Sequence, residues 1–248
     1  MTPSHAKERR SDHSDWRALA RREREIVVLV ILAAVCVLLF RLIAEIVEQG
    51  RADAFDLGLL KALHPDGLRH DTLGSIWANI GAHDLSAMGS ISVLAFIVVL
   101  GFGLFLGVNR RREAVMLFLA FGGGLVMTVG LQALFHRSRP PLTPEEAAGL
   151  NASFPSGHAL LSATVYLTLG TLIGRFAERR FVRFYALGTA AVLTVIIGVS
   201  RIFLGIHWCT DVLAGWCVGL AWALTWRAIA LVWERCDEQP AHASNGPA

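Results

Sequence analysis

Long apolar runs, interrupted by short polar stretches, set the plan of the chain. Leu85 to Asn109 and Ala114 to Phe135 contain no charged residue. Each is long enough for a hydrocarbon core, which takes about 20 residues of helix. Ala159–Gly174, Phe184–Ser200 and Val212–Trp226 are shorter and extend through tolerated flanks. Ile26–Phe40 opens a further run that passes Arg41, whose aliphatic stem lets its charge snorkel to an interface. The pattern predicts an all-α protein, a six-transmembrane helix bundle over 26–235. A basic N-terminal arm, 1–25, precedes it, and a flexible tail, 236–248, follows. Ile26–Val47 is too long for a secretory signal and has no small-residue cleavage pattern after it. In the connection Glu48–Asp84, the apolar residues Phe55, Leu57, Leu59, Leu60 and Leu63 alternate with Asp53, Asp56 and Lys61. Their roughly helical spacing predicts a short amphipathic helix lying in the interface.

Composition agrees. Of the 248 residues, 54% are hydrophobic and 17% charged, and the mean hydropathy is +0.51. Soluble domains carry about 25% charged residues, so the balance belongs to a bilayer protein. Lys7, Arg9, Arg10, Arg17, Arg21, Arg22 and Arg24 form one basic cluster, Arg110–Arg112 a second, and Arg175, Arg179, Arg180 and Arg183 a third. Six spans place all three clusters, and both termini, on one side, which the positive-inside rule makes cytoplasmic. The net charge of +3 comes from these clusters, so no nucleic-acid partner is needed to explain it. Cys36, Cys209, Cys217 and Cys236 show neither a disulfide framework nor a thiolate metal site.

The unusual polar residues all fall on the opposite, outward side. "FHRSRPP" follows the third span and carries His136, Arg137, Arg139 and Pro140, with Gln132 one turn earlier. Pro155-Ser156-Gly157-His158 opens the fourth span, and "SRIFLGIHWCTD" joins the fifth to the sixth with Ser200, Arg201, His207 and Asp211. Ionisable groups at membrane depth are costly and mark function. A lone outward arginine more often anchors a headgroup, and a lone interfacial histidine more often caps a helix. Here spacing, shared face and complementary chemistry coincide. Arg139 and Arg201 offer planar donors to phosphate oxygens. Gly157 lets the backbone approach closely, and the amides opening the fourth span present the positive end of a helix dipole to an anion. Ser156 adds a hydroxyl donor. His207 and Asp211 stand four apart and share a helix face, so the carboxylate can fix the imidazole tautomer while the other ring nitrogen attacks phosphorus. His158, from another span, can protonate the leaving oxygen and then activate water. No metal is required for this chemistry. Glu145 and Glu146 read as a solvated loop.

At these residues the chain resembles the type 2 phosphatidic acid phosphatase superfamily of integral membrane lipid phosphatases. Its pattern has three parts: Lys, six residues, Arg-Pro; then Pro-Ser-Gly-His; then Ser-Arg, five residues, His, three residues, Asp. The second is complete here as Pro155-Ser156-Gly157-His158 and the third as Ser200-Arg201, His207 and Asp211, while of the first only Arg139-Pro140 matches. The resemblance implies that His207 is the nucleophile that becomes phosphohistidine, Asp211 its orienting partner and His158 the acid and base. It also implies that Arg139, Arg201, Ser156 and Gly157 bind phosphate, without metal or cofactor. The expected substrate is a lipid phosphate within the bilayer: phosphatidate, phosphatidylglycerophosphate, undecaprenyl pyrophosphate or lipid A, cleaved on the periplasmic side of a bacterial inner membrane. Gln132 stands where the family has Lys. Its amide is a phosphate ligand of reduced strength, and Arg137 and His136 are the auxiliary cations near enough to compensate. A phosphotransferase using the same phosphohistidine, or a weakened lipid-binding member, are the alternatives. Oligomeric state stays open: Gly122, Gly123 and Gly124 permit close helix contact, either between copies or within one.

Overall fold

The computed structural model describes residues 3–64, 76–140 and 152–243. Eight helices occupy them: α1 (Pro3–Glu48), α2 (Asp53–Leu63), α3 (Ile76–Ala87), α4 (Ile91–Gly107), α5 (Arg111–Phe135), α6 (Gly157–Phe176), α7 (Arg180–Phe203) and α8 (Cys209–Ala243). No strand occurs among the described residues. Glu145, Glu146 and part of the connection between the first two spans lie outside them.

The first span, α5, α6, α7 and the first part of α8 are each long and apolar enough to cross a membrane. The pair α3–α4 supplies a sixth crossing if it is one span, bent by 48°. The sequence predicts an uninterrupted run there, but the helix breaks at Met88-Gly89-Ser90, and Ser90 restarts it by accepting the Val93 amide at 3.3 Å. At both ends the helices continue beyond the apolar runs. The arm is helical from Pro3 into the first span, because no glycine or proline separates the two, and α8 continues to Ala243. The short amphipathic helix expected after the first span is present as α2, with Phe55 and Leu57 exposed on it.

α6 is the central element. About 67% of its most apolar window is buried, against 6% for α1, whose valines and leucines face outward as a lipid-facing surface would. It packs on α5, α7 and α8, while α1 lies along α8. Glycines set the close approaches. A β-carbon on Gly123 would stand 2.6 Å from the Trp222 ring, and one on Gly124 would stand 3.3 Å from Leu161 and Thr164. Two of the three consecutive glycines therefore serve packing within one chain. Gly122 meets nothing within 4 Å.

The two ends of the bundle differ. At one, Arg110 stacks over Phe176, Arg175 pairs with Glu234 and Arg227 with Glu25. At the other, where α5 and α7 end and α6 and α8 begin, the motif residues assemble. Buried Phe154 holds the segment entering α6 in place, its ring centroid 5.9 Å from Phe40 of α1 and 4.9 Å from Phe135 of α5.

Candidate active site

His207 is set by the turn between α7 and α8. Gly205 takes φ +66° there, a conformation an L side chain resists, and the Ile206 and His207 amides return to the Arg201 carbonyl at 3.2 and 3.4 Å. The imidazole is almost fully buried. Its Nδ1 lies 3.5 Å from Asp211 Oδ2 and 3.3 Å from Ser153 Oγ. A carboxylate on that side favours the tautomer with hydrogen on Nδ1, which leaves the Nε2 lone pair available. Nε2 faces the Arg139 guanidinium at 3.4 Å. Burial holds the imidazole below its ordinary pKa. Asp211 acts against that depression, and Arg201 and Arg139 add to it.

Asp211 is fully buried and surrounded by donors. Oδ1 accepts Arg137 Nη1 at 2.7 Å, while Oδ2 accepts the Trp208 amide at 3.0 Å and the hydroxyl of Ser153. Ser153 follows no motif spacing, so nothing in its sequence setting marks it. Arg139 is anchored through Nη1 to the Ile206 carbonyl (3.3 Å) and through Nη2 to that of Ala152 (3.4 Å). Arg201 is buried and donates to Ser86 Oγ at 2.8 Å, a contact that the bend between α3 and α4 makes possible. The same bend brings Gly89 against His158: a β-carbon on the glycine would stand 3.3 Å from the ring. Both arginines act electrostatically on His158 and His207.

Ser156 precedes α6, and its hydroxyl is fully buried with no hydrogen-bond partner among the described residues. An unmet buried hydroxyl costs about 1–3 kcal/mol, and this one stands beside the first amides of α6, where a helix N-terminus favours an anion. Its backbone amide donates to the Asp211 carbonyl at 3.0 Å, which ties the cradle to α8. Gly215, one turn further along α8, allows that approach: a β-carbon there would lie 2.6 Å from the Ser156 carbonyl oxygen. Gly215→Ala is therefore expected to lose roughly 1–3 kcal/mol of stability, as overpacking does. Thermal unfolding in detergent reads this directly, and an unchanged midpoint would show that the cradle yields without cost.

The expected phosphate ligand Gln132 and the auxiliary cations Arg137 and His136 have the following contacts in this structure. Gln132 Nε2 donates to the Pro155 carbonyl at 3.1 Å and stands near Gly157, so it braces the cradle from behind. Arg137 points away from Nε2 of His207. Its charge is held by Asp211, Asp56 and the more distant Asp53; burial works to lower its pKa, but Asp211 and Asp56 outweigh it and raise it. His136, at φ +44°, is exposed, and its Nδ1 lies 3.3 Å from the Leu134 carbonyl. The remaining motif residues converge: a buried imidazole with an orienting carboxylate, a second histidine, two arginines and a helix N-terminus with an unmet hydroxyl. That set suits nucleophilic attack on a phosphorus centre whose oxygens are bound by the arginines and amides.

The chain has relatives among known proteins. The PAP2 superfamily model matches residues 112–235. Phosphatidylglycerophosphatase B of Bacillus subtilis is 30% identical over 148 residues, 58% of this chain and 71% of that protein. An undecaprenyl-diphosphatase of Sulfolobus acidocaldarius is 36% identical over 67 residues, 27% of this chain and 28% of that one. Among solved structures, the transmembrane PAP2-type phosphatidylglycerolphosphate phosphatase of Bacillus subtilis superposes with a TM-score of 0.69 at 24% identity, covering 80% of this chain and 95% of its own. Aquifex aeolicus LpxE gives a TM-score of 0.50 at 21% identity, covering 69% and 93%. The chain is a multi-pass membrane protein of the PAP2 superfamily.

Proposed function

We propose that the protein is a membrane lipid phosphatase that hydrolyses a lipid phosphomonoester or pyrophosphate through a phosphohistidine at His207. The observation that carries this reading is the pairing of His207 Nδ1 with Asp211 and Ser153 while Nε2 faces Arg139 beside His158. In the first step Nε2 bonds to phosphorus and the bond to the leaving oxygen breaks, with His158 supplying that oxygen's proton. In the second step water, deprotonated by His158, attacks phosphorus and releases the imidazole with inorganic phosphate. Arg139 leaves its contact with Nε2 for a phosphate oxygen, and Arg201, Ser156 and the first α6 amides hold the others.

Two features support a lipid as the substrate. The relatives named above act on phosphatidylglycerophosphate and undecaprenyl diphosphate by name. An apolar cavity of about 370 Å³ between α3 and α7 also runs past Ala78, Gly81 and Leu85 to Ser200, next to Arg201. Its apolar walls suit an acyl or prenyl chain. The arginine-rich end of the bundle belongs in the cytoplasm by the positive-inside rule, which turns the site toward the periplasm of a bacterial inner membrane.

The test is phosphate release from undecaprenyl pyrophosphate, phosphatidate, phosphatidylglycerophosphate and lipid A, with purified protein in detergent and EDTA. Release from at least one of them, persisting in EDTA, is expected. No release from any would overturn the reading. The same assay carries a second prediction. Gln132→Lys keeps a donor for the Pro155 carbonyl and adds a cation beside Gly157. A charge-assisted contact exceeds a neutral one by about 1 kcal/mol, so KM should fall roughly fivefold. An unchanged KM would mean that the side chain at 132 never senses the phosphate.

A further inference from the structure

Asp56 belongs to α2, outside the segment that matches the superfamily, and its neighbours Phe55 and Leu57 are exposed. Yet Asp56 itself is only 2% exposed. A carboxylate is buried at high cost unless its charge and lone pairs are met, and here they are. Oδ1 accepts the Thr210 amide at 3.2 Å, one of the orphan donors opening α8. Oδ2 accepts the Thr210 hydroxyl at 2.5 Å and Arg137 Nη2 at 2.8 Å. Arg137 turns its other nitrogen, Nη1, to Asp211 Oδ1 and to Thr210 Oγ1, both at 2.7 Å. Asp56, Arg137 and Thr210 thus close a ring on the back of Asp211, whose front oxygen faces His207.

We propose that Asp56 is a positioning residue for the reaction at His207, acting through Arg137 and the first turn of α8. The proposal rests on the phosphatase reading above. Two physical effects carry it. The first is geometric: with Asp56 in place, the planar guanidinium is held on both sides and fixes the Oδ1 side of Asp211, which sets where Oδ2 meets the imidazole. Without Asp56, the acidic group left for Nη2 of Arg137 is Asp53, 3.6 Å away with a largely exposed side chain, and the guanidinium, still paired through Nη1 with Asp211, gains room to swing toward it. The second is electrostatic. Asp56 balances the charge of Arg137, so the charge of Asp211 remains available to the imidazolium that forms as His207 bonds to phosphorus. Once Asp56 is neutral, Asp211 is the buried carboxylate on which Arg137 draws, with only the exposed Asp53 beside it. Neither effect touches Arg139, Arg201 or Ser156, so substrate binding should be spared.

Asp56→Asn keeps the shape and removes the charge. Its kcat should fall roughly 10-fold to 100-fold, by analogy with the range for partners that orient a metal-bound imidazole from behind. KM should stay within about twofold. Arg137→Gln should act on the same step, and the double variant should fall no further than the worse single one. A second readout is independent of turnover: the ¹⁵N-histidine spectrum in detergent micelles, with the His207 signals identified by their loss in His207→Gln. In Asp56→Asn the His207 signals should move while those of His64 and His83 stay. If Asp56→Asn does not accumulate as folded protein, Arg137→Lys replaces it, since it keeps the charge but cannot bridge two carboxylates. An unmoved His207 signal, a kcat within twofold of wild type, or parallel losses in kcat and 1/KM would each overturn the proposal. A wild-type protein that releases no phosphate would overturn the functional reading alone, because the spectrum still decides the role of Asp56.

Discussion

Replacing His207 with glutamine should bring phosphate release to background, a loss of roughly 10⁴-fold or more, while the lipid still binds. Glutamine nearly fills the imidazole volume and can donate to Asp211 Oδ2, so the buried pocket is kept and only the nucleophilic lone pair is removed. Arg139, Arg201 and the α6 amides remain to hold the phosphate. The wild-type pH profile supplies a linked expectation. His207 attacks only when neutral, and burial lowers its pKa. As pH falls through that lowered value the imidazole takes a proton and attack stops. The acid limb of kcat/KM should therefore lie below about 6.5, the ordinary imidazole value. Turnover by His207→Gln within about tenfold of wild type would show that His207 is not the nucleophile.

The residues that met at the site from sequence alone were those whose chemistry is carried by local spacing. His207 and Asp211 are one helical turn apart, and the Pro-Ser-Gly-His tetrad opens a span, so each can be read without knowing which helices are neighbours. What stayed hidden depends on contacts across the fold. Ser153 reaches Asp211 over 58 positions, Ser86 reaches Arg201 over 115, and Asp56 reaches Thr210 over 154. No periodicity encodes such pairs. Asp56 was further masked by its setting, since one acid among alternating leucines reads as the wet face of an interfacial helix. Gln132 and Arg137 show the same limit in another form. Gln132 is marked by standing where the family has Lys, and Arg137 by its nearness to it; the sequence does not show that the end of α5 turns Gln132 to the Pro155 carbonyl and Arg137 to the carboxylates behind His207. The bend in α3–α4 did leave a trace, Gly89-Ser90 inside an otherwise apolar run, and its effect is to carry Ser86 to Arg201.

Asp211→Asn should cost kcat about 10³-fold to 10⁴-fold, the scale seen when the carboxylate behind a reacting histidine becomes an amide. The hydrogen-bond inventory explains why this site cannot adapt. Oδ1 accepts from the Arg137 guanidinium, while Oδ2 accepts from the Trp208 amide and the Ser153 hydroxyl and faces His207 Nδ1. An asparagine has one oxygen. If it faces Arg137, the NH₂ confronts the Trp208 N–H and can serve His207 only by accepting nothing from Nδ1. The imidazole is then pushed toward the tautomer with hydrogen on Nε2, the atom that must attack. If the oxygen faces His207, the NH₂ points at a guanidinium and leaves a buried cation with Asp56 as its partner. Either orientation strands a buried donor, at about 1–3 kcal/mol, so stability should fall together with activity. Ser153→Ala separates the two effects. It removes one donor from Oδ2 without reversing any polarity, so kcat should fall by only about tenfold. If the two variants lost activity equally, the charge of Asp211 would not be what prepares His207, and the ring behind it would be a matter of folding alone.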